Sequence, residues 1–174
     1  NEGSSLPANA TAWSCVQDNV TGLVWEGKNG SGGLHDMSNL YNWYNSDPLT
    51  NGGHPGYADD DGNICDGYNG TNPATYCNTE AFITRANLAG LCGYSDWRLP
   101  TREELRSLVD YAVVLPGPTI DTGYFPQTVG VAYWSSTPHA IYRARAWAID
   151  FNEGNDPMHD KGIALSVRLV RGSR

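Results

Sequence analysis

At 174 residues the chain has enough length for one substantial core. It contains no run near the roughly 18 apolar residues of a membrane span. Its net charge of -8 sets it against nucleic acid and anionic membranes at long range, and 20 Gly, 10 Pro, 6 Trp and 10 Tyr describe a loop-rich fold, not a helical bundle. That charge is uneven: residues 1–138 hold five basic and fifteen acidic side chains, whereas residues 139–174 hold six basic and four acidic. An anion-binding patch is therefore expected only in the C-terminal segment.

The opening stretch, NEGSSLPANATAW, lacks the charged and apolar regions of a signal peptide, so residues 1–12 read as an extension before a domain over 13–172. Residues 13–26 (WSCVQDNVTGLVWE) read as two short strands joined at DNVTG. Gly, Asn, Asp, Ser and Tyr dominate the next fifty residues, apart from MSNLYNWYN, where Leu40, Trp43 and Tyr44 recur at helical spacing and predict a turn or two of helix. NTEAFITRANLAG predicts a helix with Asn78 or Thr79 as cap, Phe82, Ile83, Ala86 and Ala89 on one face, and Gly90 as left-handed terminator. PTREELRSLVDY predicts a second, in which Thr101 and Glu104 form a capping box and Leu105, Leu108 and Val109 a buried stripe. AYWSSTP, RARAWAIDF and GIALSVRLVR predict strands of one antiparallel sheet, with Ile163, Leu165, Val167 and Leu169 alternating, and NEGNDPMHDK as a hairpin loop.

Cys15, Cys65, Cys77 and Cys92 lack the close spacing of zinc or redox motifs, so two disulfides are expected. Of three possible connectivities the favoured one joins Cys65 to Cys77, stapling the Gly/Asn-rich loop, and Cys15 to Cys92, tying the first strand to the helix-connecting loop. Such bonds imply an oxidising compartment. Asp59, Asp61 and Asn63 alternate as in calcium loops, but the glycine comes too early and no glutamate stands at the twelfth position. A solvated turn is the preferred reading there, calcium the lesser one, and no other cofactor is expected.

The four histidines fit no metal or catalytic spacing, and Ser135 and Ser136 lack the turn that exposes a nucleophile, so the chain is not read as an enzyme. Trp97, between two helix ends, reads as core, with Arg98 satisfying loop carbonyls or a carboxylate such as Asp96 or Asp110. By contrast HAIYRARAW and NEGNDPMHDK gather tyrosine, arginine and amide side chains of the kind that recognise ligands. The expected contacts are Tyr142, Arg143, Arg145, Asn155, Asp156, His159 and Lys161, with Arg143 and Arg145 on the strand face of Trp147.

TGLVWE, GLCGYSDWRLPTREELRSLVDY, IDTGYFP, YWSSTP, AWAIDF and VRLVRG occur in that order. From Trp13 to Gly172 the chain resembles the domain family named for the C-terminal domain of the Legionella collagen-like adhesin. The resemblance implies an α+β, C-type-lectin-like fold of the formylglycine-generating-enzyme type, with two helices packed on small antiparallel sheets. It gives GYSDWRLPT a framework role and carries over no catalytic motif, since the reactive cysteine pair of those enzymes has no counterpart here. The implied function is an extracellular binding domain of a secreted or bacterial-surface adhesin. Its partner would be a glycan such as a sulphated polysaccharide in adhesion and biofilm formation, or a cell-surface protein. Neither nucleic acid nor membrane insertion is expected, and homo-oligomers are allowed. Some relatives are variable targets of diversity-generating retroelements; on that alternative Ile141, Tyr142, Arg143, Arg145, Asn155, Asp156, Met158 and His159 would vary on a fixed framework. A structural subunit or an enzyme stands as the second alternative.

Overall fold

The structure, a computed structural model, describes residues 13–172; the extension over 1–12 lies outside the described residues. Two three-stranded antiparallel sheets organise it. In the first, β1 (Cys15–Gln17) pairs with β2 (Val24–Glu26), and β2 also pairs with β6 (Val170–Arg171); in the second, β3 (Ala132–Pro138), β4 (Arg145–Asp150) and β5 (Met158–Asp160) lie in that order. Two helices, α1 (Thr79–Ala89) and α2 (Arg102–Arg106), complete the α+β architecture. No helix among the described residues is long and apolar enough to cross a membrane.

Alternation along the strands divides the interior in two. Val24, Trp134, Ala148 and Leu169 face one cluster with Tyr41, Trp43, Phe82 and Trp97, while their chain neighbours Trp25, Tyr133, Ile149 and Val170 face another with Leu105, Ile120 and Phe125. Successive side chains leave a strand on opposite sides, so a strand between two cores is buried on both faces. This overturns the simple alternation expected of GIALSVRLVR. Ser166 through Val170 are all buried while Ile163 is exposed, and only Val170 and Arg171 form a strand, against β2 and not beside β4. The third strand of the second sheet is instead β5, drawn from the segment expected to be a hairpin loop.

Arg168 is fully buried within that run because its partners are buried with it: its guanidinium donates to the Glu26 carbonyl oxygen at 2.6 Å and to Thr128 Oγ1 at 2.7 Å. The Glu26 carboxylate in turn accepts from Lys28 Nζ at 2.8 Å and from the Leu169 amide at 2.8 Å, and lies 2.7 Å from His35 Nδ1. Burial pushes the Glu26 carboxyl upward, but the charge of Lys28 and the hydrogen bonds from His35 and Lys28 outweigh it, bringing the group down to about 2.

Asn78 caps α1 through the Ala81 amide, and Gly90 ends it at φ 66. Ala81 is buried on the inner face, whereas Ala89 is exposed. Thr101 and Glu104 close the capping box of α2. That helix stops at Arg106, short of the expected Tyr111, where the Asp110 amide bonds to Thr119 across a loop; Leu108 and Val109 still pack against the second core. MSNLYNWYN is not helical. From Leu40 onward its backbone amides bond to Ile64, Leu165, Cys77, Lys161 and Pro55, so this part of the segment threads through the interior as extended chain with remote partners. Disulfides join Cys15 to Cys92 and Cys65 to Cys77, and no described cysteine is free. They fit an oxidising compartment.

Trp97 is buried between the helices: the Asn87 side chain bonds both its amide and its carbonyl, and its indole donates to Leu91. Arg98 pairs with Glu104 through both arms at 2.7 and 2.8 Å, while Asp96 belongs to Arg171. The DWRLPT stretch is thus a joint between α1, α2 and β6.

Candidate ligand-binding face

The turn between β3 and β4 is built around His139. Its Nδ1 accepts from the Ile141 and Tyr142 amides at 3.1 and 3.0 Å, which leaves the ring proton on Nε2. The ring lies between Tyr142, at 5.0 Å, and Trp147, at 5.1 Å, tilted about 30° from each. Arg145 places its guanidinium 5.4 Å from the Tyr142 ring, and Arg102 places its own 4.7 Å from the Trp147 ring. The result is a ladder, Arg145–Tyr142–His139–Trp147–Arg102, of three rings with a cation at each end.

Position on β4 accounts for it. Ala146 and Ala148 point into the first core and Ile149 into the second, while Trp147 stays half-buried with the guanidinium of Arg102, the first residue of α2, over its ring. Arg145 faces Asp160 across the β4–β5 pair, yet forms no ion pair with it. Arg143 is exposed and its stem lies across Gly53. Among the described residues no carboxylate is within ion-pair distance of either arginine.

The expected contact residues therefore divide. Tyr142, Arg143 and Arg145 come together at the exposed end of the hairpin. Asp156 lies at the other end of the ladder, 3.7 Å from Arg102 and 3.6 Å from Arg106. Asn155 is exposed at the β4–β5 turn, bonded to Glu153. His159 points to the opposite side of the sheet, edge-on to Trp134 at 6.2 Å. Lys161, expected as a surface contact, is fully buried: its ammonium donates to the Asn51 and His54 carbonyls at 2.9 and 2.7 Å and lies 4.1 Å from the Trp43 ring. Arg102 was not expected on the face, and Trp147 was expected to share its strand face with Arg143 and Arg145 but not to be a contact. Nothing local in the sequence marks Arg102.

The calcium candidates stay apart. Asp59 accepts from the Tyr68 hydroxyl at 3.0 Å, Asp61 accepts from Asn42 at 2.8 Å and Asn63 is exposed. Among the described residues no three His, Cys, Asp or Glu side chains are placed to hold a metal ion.

The family of the Lcl C-terminal domain matches residues 14–171, a span that includes YWSS in β3, AWAIDF along β4 and VRLVR at β6. The chain belongs to that family. Membership in the Lcl C-terminal domain family points to an adhesin-like domain. Comparison with curated proteins gives no match.

Proposed function

We propose that this Lcl C-terminal domain is an extracellular binding module, not an enzyme, and that its β3–β4 face recognises an anionic glycan of the sulphated polysaccharide class. The observation that carries the reading is the ladder with Arg143 beside it. Three rings and three guanidiniums gather on one exposed face of an otherwise acidic protein, and Arg143 and Arg145 have no carboxylate partner. Guanidinium forks match sulphate and carboxylate oxygens, and flat rings suit the apolar faces of sugar rings. The C-type-lectin-like class is part of the same proposal, supported by two helices packed with two small antiparallel sheets under two disulfides.

The test is binding of heparin-derived oligosaccharides beside neutral glycans across a salt series. Exposed charge pairs are screened over a Debye length of about 8 Å at physiological ionic strength, so affinity for the sulphated chain falls with salt. Equal affinity for neutral and sulphated chains, or none for either, defeats this reading. Exposed Ile141, Tyr142, Arg143 and Arg145 on a largely buried YWSS and AWAIDF framework also suit a retroelement-diversified face for protein ligands. A downstream near-repeat of the coding DNA, differing at adenines, would support that alternative.

A further inference from the structure

Beside the face, a cleft of about 520 Å³ opens between the N-terminal ends of α1 and α2, the 45–50 loop and the end of β3. Its size is within the roughly 300–1,000 Å³ usual for small-ligand sites. Trp43, Ile83, Leu99 and Pro138 give it apolar surface. Along the polar wall, the Tyr44 and Ser136 hydroxyls and one oxygen of Glu80 make no hydrogen bond to any described residue, and none of the three side chains is fully buried. The other Glu80 oxygen accepts from the Ser46 amide at 2.7 Å, which fixes the carboxylate in place.

The wall is held before any ligand arrives. The Ser136 amide donates to the Pro100 carbonyl at 2.7 Å, the Arg102 amide to Thr137 Oγ1 at 3.0 Å, and the Tyr44 amide to Thr79 Oγ1 at 3.0 Å. Arg98, the one cation in the lining, already has both arms on Glu104. Glu80 therefore sets the sign of the cleft, and a sulphate or carboxylate would be repelled. Hydroxyls, which both donate and accept, suit two hydroxyls and a carboxylate oxygen with open capacity.

We infer that this cleft is a second subsite, taking an uncharged pyranose unit of the glycan chain whose charged units lie on the β3–β4 face. This rests on the reading of that face as a glycan surface. The two sites meet at Thr137 and Pro138, which line the cleft and lead into His139, and at Arg102, whose amide bonds Thr137 while its guanidinium lies over Trp147. A chain crossing this edge would meet arginine on one side and hydroxyl-rich wall on the other.

The test is amide NMR titration with methyl glycosides of glucose, galactose, mannose and N-acetylglucosamine, followed by a heparin-derived oligosaccharide. At least one neutral glycoside is expected to shift the Tyr44, Asn45, Ser136 and Thr137 amides with an affinity insensitive to salt, and Tyr44→Phe with Ser136→Ala is expected to weaken it tenfold or more. Absence of these shifts with every glycoside, or unchanged affinity in the double variant, overturns the subsite. The heparin arm separates this outcome from failure of the face. Shifts at Tyr142 to Arg145 without any at the cleft leave the face standing and overturn the subsite, whereas glycoside shifts at the cleft with a silent hairpin leave a sugar-binding cleft but remove the anionic-glycan reading and with it the cleft's place as second subsite.

Discussion

Lys161 donates from its buried ammonium to the His54 carbonyl at 2.7 Å, and with the bond to Asn51 this brackets Gly52 and Gly53, which lie against Pro138 and Arg143. The lysine thus supports the face from below. Lys161→Met should cost ~1–3 kcal/mol, because two buried carbonyls lose their donor, and should loosen the loop under Arg143. Denaturant unfolding beside ligand titration measures both.

The same lysine sets an alkaline pH dependence. Burial pushes its ammonium down to about 8 from an ordinary 10.5, with Asp160 opposing weakly. Between those values the unfolded chain holds the proton that the folded chain has released, so stability rises with pH across this window. Wild type should therefore gain on Lys161→Met as pH increases from 8 to 10.5; a constant difference would show that the lysine does not titrate there.

Glu26 governs the acid limb. With its folded value about 2 against an ordinary 4.5, its contribution is full above pH 4.5 and is lost as pH falls toward 2. Glu26→Gln leaves Lys28 and Arg168 buried beside a neutral group and should cost ~3–5 kcal/mol at neutral pH. Melting across pH 2 to 7 should show the steep acid limb of wild type flattened in the variant.

Trp97→Ala should lose ~3–5 kcal/mol through the cavity left at the helix joint, with ligand affinity retained below the melting transition. Loss of ligand without loss of stability would make DWRLPT a binding loop.

Local chemistry was readable in the sequence, and remote pairing was not. The capping box at Thr101 and the αL glycine at Gly90 depend on neighbours within four residues, and both stand as read. Leu40, Trp43 and Tyr44 imitate helical spacing, yet their segment is extended because its backbone partners lie in four other stretches of the chain, as far away as Leu165. Lys161 reads as a surface charge because nothing adjacent in sequence reveals Trp43 or the Asn51–His54 carbonyls above it. Arg168 breaks a strand pattern for the same reason, since Glu26 and Thr128 are remote. At the face, Tyr142, Arg143 and Arg145 fall within four residues and were legible, whereas Arg102 reaches Trp147 only through packing of α2 on β4.

The most direct trial of the glycan-binding account is the salt dependence of heparin-oligosaccharide affinity for wild type and for Arg143→Ala with Arg145→Ala, checked by circular dichroism. The account predicts at least a tenfold loss in the double variant, a shallower dependence on salt and an unchanged unfolding midpoint. Affinity and salt dependence equal to wild type would contradict it and move the site off the β3–β4 face.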